Sequence, residues 1–205
     1  MSETLDLSLR SSIFDRQRRL TITPTYLEFD DRSSVGLEPT RFKKEEMEGL
    51  RYGVKPIEGY QFVIGRIYCI DIRNNQGRTM KIRLKSMYGV NKIALAQKFA
   101  KIVNIFLDYF FDDISRGLLE KFHKGESFSL LGVSFFSDGV NLKKDDQLIK
   151  WADLGTQSYT RYYAMYSKSN PNHYKAFEYL VDWNTATLYS VSREILKEKG
   201  FWSET

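Results

Sequence analysis

The 205-residue chain has a single cysteine, Cys69, so no disulfide can form within it and a bridge-stapled scaffold is excluded. Cys69 stands in an apolar strand pattern, where a buried structural thiol is expected. There are two histidines, His123 and His173. Neither shares ligand spacing with a cysteine or with the other, which removes the usual pattern of a zinc site. Glycine-rich loops that cradle phosphates are missing. Long apolar runs are missing too. Ile102 to Phe111 is interrupted by Asn104 and Asp108 and falls far short of the roughly 20 residues that cross a bilayer. Met1-Ser2-Glu3-Thr4-Leu5-Asp6 is acidic and polar, unlike a signal peptide. A soluble, cytoplasmic protein is expected. Carboxylates occur as neighbours in Glu45-Glu46, Asp112-Asp113 and Asp145-Asp146, but neighbours in a strand point to opposite faces and make a poor start for acid–base catalysis. These residues point to no enzyme, no cofactor and no metal.

What is present is a repeated pattern. Leu20 to Phe29, turning at Pro24-Thr25, is followed by Phe42 to Met47. Val133 to Leu142, turning at Asp138-Gly139, is followed by Leu148 to Leu154. Each copy reads strand, tight turn, strand, gap, strand, then further strands and a helix, and repetition at this scale favours two small units over one large one. An apolar fraction of 42% with 15% aromatics is enough for real cores.

Along the chain, residues 1–11 read as a loose arm and Ile13 to Thr23 as a strand. Tyr26 to Phe29 alternates, and Asp30 to Thr40 is a polar loop. Arg41 to Val54 predicts two short strands turning near Glu48-Gly49, with Lys55 to Gly59 as a connection. Tyr60 to Arg73 is rich in β-branched and aromatic residues, Asn74 to Gly77 turns, and Thr79 to Lys85 alternates with Met80, Ile82 and Leu84 on one face. From Asn91, a predicted N-cap, the period is helical to about His123. That helix is apolar around much of its circumference and is expected to touch more than one sheet or a second copy of the chain. Phe128 to Ser137, Val140 to Leu142, Leu148 to Leu154, Tyr159 to Tyr166 and Tyr174 to Val181 predict strands. Asp182 or Asn184 would cap a last helix to about Lys199.

Gly132 to Val140 followed by Ile149-Lys150-Trp151-Ala152-Asp153-Leu154 resembles the first three strands of bacterial pleckstrin-homology (PH)-like domains, and Leu20 to Phe29 with Phe42 to Met47 resembles them more faintly. The resemblance implies an α+β chain of two tandem PH-like units, 1–124 and 125–205. Each would be a bent antiparallel sheet or barrel capped by a C-terminal helix. The fold serves lipid binding, peptide binding and assembly alike, so it does not decide function.

Two surfaces stand out. The net charge of +5 is uneven: residues 1–124 hold 22 Lys and Arg against 16 Asp and Glu, and the remainder is slightly acidic. Arg73, Arg78, Lys81, Arg83 and Lys85, with Arg66 and Lys92 nearby, have only Asp71 as a local counter-charge. Such a face suits anionic membrane headgroups, or is the solvated outer side of a half-buried sheet. Nucleic acid is disfavoured because few aromatics interleave with these charges. Tyr159, Tyr162, Tyr163 and Tyr166 form the other surface, suited to a protein partner because tyrosine supplies contact area with a polar tip. The expected function is a non-enzymatic bacterial scaffold that binds a protein or itself, with helix 91–123 as the self-association surface. The alternative is peripheral attachment to an anionic membrane through the basic face.

Overall fold

A computed structural model describes residues 4–10, 16–31, 38–143 and 147–202. Ile13, the Asp145-Asp146 pair and the first three residues lie outside them. The chain is α+β and divides into two compact units, Met1–Phe110 and Phe111–Thr205.

The first unit opens with a four-stranded antiparallel sheet in the order β1 (Leu5–Leu9), β2 (Arg18–Ile22), β3 (Tyr26–Phe29), β4 (Thr40–Lys43). Within the expected loose arm, Leu5–Leu9 is therefore strand β1. Leu5, Leu7 and Leu9 alternate, and Asp6 anchors the strand to β2 by accepting from Arg19 Nε (2.9 Å) and Thr21 Oγ1 (2.8 Å). A three-stranded sheet follows: β5 (Met47–Glu58), β6 (Val63–Asn74) and β7 (Thr79–Met87). The turn before β5 is a 3-10 turn at Lys44–Glu46, and the expected turn near Glu48-Gly49 is a bulge in β5, with Glu48 the extra residue between paired Met47 and Gly49. In β7, Met80, Ile82 and Leu84 are buried while Lys81 and Lys85 are exposed. Helix α1 (Lys92–Phe106) closes the unit, with Phe99 packed edge-on or tilted against Tyr52 and Tyr68.

The helical stretch continues through a π-helical segment, Leu107–Phe111, into α2 (Asp112–His123). The boundary between the units falls inside the π segment, and Leu118, Leu119 and Phe122 of α2 pack on the core of the second unit.

That unit repeats the order of the first: a four-stranded sheet β8 (Phe128–Leu130), β9 (Val133–Phe136), β10 (Gly139–Asn141), β11 (Ile149–Lys150), then a three-stranded sheet β12 (Leu154–Ser158), β13 (Tyr162–Ser167), β14 (Tyr174–Glu178), then α3 (Thr185–Glu198). Two expected strands are each broken by a turn, the first into a hairpin and the second into strands of different sheets. Phe128 to Ser137 folds back at Leu131-Gly132, both with positive φ, and Leu148 to Leu154 turns at Trp151–Asp153. The core gathers Phe128, Phe135, Val140, Trp151, Tyr163, Phe177, Leu188 and Ile195. Phe128 stacks on Phe135, and the Trp151 indole donates to the Phe136 and Ser137 carbonyls.

In each unit the strands form two separate sheets, not a closed barrel. Neither expected asparagine cap acts through its side chain. Asn91 and Asn184 sit at the helix starts with φ of 54° and 66° and make no side-chain cap bond. Asparagine suits these positions because it tolerates the left-handed region. Among the described residues no helix is long and apolar enough to cross a membrane.

Candidate functional site

Strand period and register place the second unit's tyrosines. In β13, Tyr162, Ala164 and Tyr166 point to one side, and Tyr163, Met165 and Ser167 to the core. Pairing aligns Gly155 with Tyr166, Gln157 with Ala164, Tyr174 with Tyr166 and Ala176 with Ala164. The outer face therefore carries Tyr159, Tyr162, Tyr166 and Tyr174 around a floor of alanine and glycine. Tyr159 and Tyr174 are 49% and 59% exposed, and Tyr159 stacks on Tyr162 with ring centroids 4.6 Å apart. The Tyr166 ring lies over Gly155, where a Cβ would stand 2.4 Å from it. A side chain there would lift the ring off the sheet.

Tyr163 does not belong to this face. It is fully buried, and its hydroxyl lies 2.6 Å from Ser192 Oγ on α3. The sequence places it among contact residues because all four tyrosines look alike there. The strand period turns this one inward, and burial raises its phenol well above the ordinary value.

Among the described residues strand β12 is an edge, with β13 on one side and no strand on the other. Lys168 N donates to Asp153 O and Tyr159 N to Tyr162 O, both at 2.8 Å. These bonds fix the alternation along the pair, so the backbone N–H and C=O of Thr156 and Ser158 point away from β13. No Lys, Pro or bulge blunts this edge. Beside it runs a groove of about 450 Å³, lined by Gln157, Tyr166, Tyr189, Arg193 and Trp202 among others. The Arg193 guanidinium lies 5.9 Å and 5.4 Å from the Tyr189 and Trp202 ring centroids, a cation held between two aromatic faces.

The basic residues of the first unit are brought together only in part. Arg73, Lys81, Arg83 and Lys85 share the outer face of the three-stranded sheet, as does Arg51. Asp71, buried in the middle strand, binds Arg51 Nε at 3.0 Å and stands 2.6 Å from Arg83 Nη2, an ion-pair contact without hydrogen-bond alignment. Arg73 pairs with Glu48 at 2.8 Å. Arg78 lies in the preceding turn and donates to Thr40 Oγ1 at 2.7 Å. Lys81 and Lys85 are exposed. Cys69 lies on the same face yet is buried, which raises its thiol pKa.

No protein-family model, curated protein or solved structure matches the chain.

His123 is exposed and its Nε2 lies 2.8 Å from Glu198 Oε2. Among the described residues no group of three or more His, Cys, Asp and Glu side chains could hold a metal ion. Tyr174 belongs to the aromatic-rich second unit in the sequence, but sequence reasoning does not place it among the contact residues, and it misses the open edge of β12. The β13–β14 register puts Tyr174 on the face, and the strand order shows the edge.

Proposed function

We propose that the chain is a pair of tandem PH-like units acting as a non-enzymatic binding module, and that the second unit takes up an extended segment of a protein partner. The PH-like reading is supported by the element order, four-stranded sheet, three-stranded sheet, helix, which occurs in each unit. The observation that carries the binding reading is the exposed face of Tyr159, Tyr162, Tyr166 and Tyr174 beside the open edge of β12. An added strand would pair with Thr156 and Ser158 and lay alternate side chains across the tyrosines. Among the residues of this face only Glu178 is charged, so contact area and main-chain bonds, not charge pairing, would dominate. The membrane alternative rests on Lys81 and Lys85, since Arg73, Arg78 and Arg83 are already engaged.

The test is capture of partner by the full chain in about 0.5 M salt, where exposed charge contacts are screened. The proposal expects one protein retained by the wild type and by Lys81→Glu/Lys85→Glu, and lost by Tyr159→Ala/Tyr162→Ala/Tyr174→Ala. Retention by the tyrosine variant overturns the assignment to this face. Capture of only a second copy of the chain replaces the partner with self-association.

A further inference from the structure

The first unit carries an apolar end that the protein-binding reading leaves unused. β6 pairs with β7 only as far as Gly65 with Met87, while the β5–β6 hairpin runs on to Glu58 with Val63. The tip, Gly59 to Phe62, is closed by Gly59 N donating to Phe62 O at 2.8 Å. Tyr60 is 99% exposed and Phe62 68%. The turn between β7 and α1 lies alongside, because Tyr88 N donates to Ile64 O at 2.8 Å. That turn and the first helical residues add exposed Tyr88, Val90 and Ile93. Among the described residues, every exposed large apolar side chain of the first unit lies on this hairpin or this neighbouring segment. Exposed apolar surface concentrated this way marks a contact with a protein or a membrane.

The charge around it selects between the two. Residues 51–101 hold 11 Lys and Arg against two acids, Glu58 and Asp71, and Asp71 is already taken by Arg51 and Arg83. A cavity of about 280 Å³ between Phe62, Val63 and Tyr88 is lined by Arg66 and Lys92, both exposed. Lys55 is one row away, opposite Ile67, and Glu58 is the single acid at the tip. Aromatic side chains at loop tips with a cationic collar match the headgroup boundary of an anionic bilayer, where tyrosine rings settle and each Lys or Arg near the surface adds attraction.

We infer that this end of the first unit docks on a bilayer bearing anionic lipid. Tyr60, Phe62 and Tyr88 enter the headgroup boundary, and Arg66 and Lys92 meet the phosphates. The inference does not rest on the tyrosine face of the second unit, so each can fail alone.

Co-sedimentation of the full chain with vesicles tests it, using phosphatidylcholine alone and phosphatidylcholine mixed with phosphatidylglycerol. The expected result is binding to the mixed vesicles, weakened about tenfold or more by Tyr60→Ser/Phe62→Ser and by Arg66→Glu/Lys92→Glu, and unchanged in Tyr159→Ala/Tyr162→Ala. Circular dichroism confirms that the variants, altered only at surface positions, remain folded. The inference is overturned if the wild type ignores anionic vesicles, or if Tyr60→Ser/Phe62→Ser binds them as the wild type does. Loss through Lys81→Glu/Lys85→Glu alone also overturns it, moving the contact to the flat sheet face. So does a wild-type dimer abolished by Tyr60→Ser/Phe62→Ser with no vesicle binding, which makes this end a contact between copies.

Discussion

Tyr162 and Tyr163 are adjacent in sequence and face opposite sides of β13, so they answer differently to substitution. The Tyr163 hydroxyl is buried against Ser192 Oγ, which itself donates to Leu188 O. Tyr163→Phe removes the buried hydroxyl that meets Ser192 and Thr156 and leaves the ring packing intact, a cost of about 1 to 2 kcal/mol. Tyr162→Phe leaves stability within about 0.5 kcal/mol, as expected of a surface position. Urea denaturation of both variants measures the contrast. A Tyr163→Phe midpoint equal to that of the wild type would remove the hydroxyl from the stability argument. Asp153 is a residue of the same kind on the polar side. It accepts from Ser167 Oγ, Ser169 N and Ser169 Oγ, and these bonds, the Ser167 contact foremost, hold its carboxyl below the usual range. It ties the loop after β13 to the turn before β12, the strand whose edge the binding proposal uses.

At the scale of elements, one carboxylate adds to the ladder that holds β1 on β2. Hydrogen bonds from Arg19 and Thr21 lower the Asp6 pKa from 3.8 to about 2. A carboxyl depressed in the folded state contributes stability that is fully present above its unfolded value of about 4 and is lost as pH falls through the folded value. Thermal unfolding followed from about pH 5 to about pH 2 should therefore show a smaller acid loss for Asp6→Asn than for the wild type, with lower stability for the variant at neutral pH. Parallel curves for the two proteins would show that Asp6 does not couple β1 to acid stability. The hairpin of β9 and β10 depends on a close approach instead. Gly139 is not at the turn, as the Asp-Gly dipeptide suggests, but at the first position of β10, where a Cβ would stand 2.2 Å from the Ile149 carbonyl oxygen of β11. Gly139→Ala should cost about 2 kcal/mol by pushing the β10 and β11 backbones apart, read from the shift in denaturation midpoint.

Across the whole molecule, two units with the same order of sheets and helix present different outer faces on their three-stranded sheets. One is basic around a buried aspartate and the other is tyrosine-lined. The vesicle contact proposed for the hairpin end of the first unit uses Arg66 and Lys92, whereas the tyrosine face of the second uses little charge, so the two proposed contacts separate by ionic strength. Raising salt to about 0.5 M should weaken vesicle binding by the full chain, through loss of the Arg66 and Lys92 attraction, while leaving capture of a protein partner intact, because screening acts on exposed charges and barely on aromatic contact area. Salt titrations of both activities on one preparation check this, and parallel salt dependence would assign both to the same charged surface.

The repeat, the α+β class and the long helical segment were legible in the sequence because local periodicity carries them. Met80, Ile82 and Leu84 alternate with lysine and arginine, and the same alternation appears in the burial of β7. Leu5, Leu7 and Leu9 alternate too, but a strand of that length has no meaning until β2 pairs with it. The Trp151 step was visible as a motif, yet its role as a core indole donating to the β9–β10 turn needed the fold. Register decided what composition could not. One position of strand phase separates Tyr163 in the core from Tyr162 on the surface, and pairing across β13 adds Tyr174 to the face. The same holds for charge. A run of basic residues announces a positive segment, but only tertiary contacts decide that Arg51, Arg73 and Arg83 are spent on Asp71 and Glu48 while Lys81 and Lys85 remain exposed. Periodicity is a property of neighbours along the chain. The content of a face is a property of residues far apart in sequence, brought together by pairing and burial.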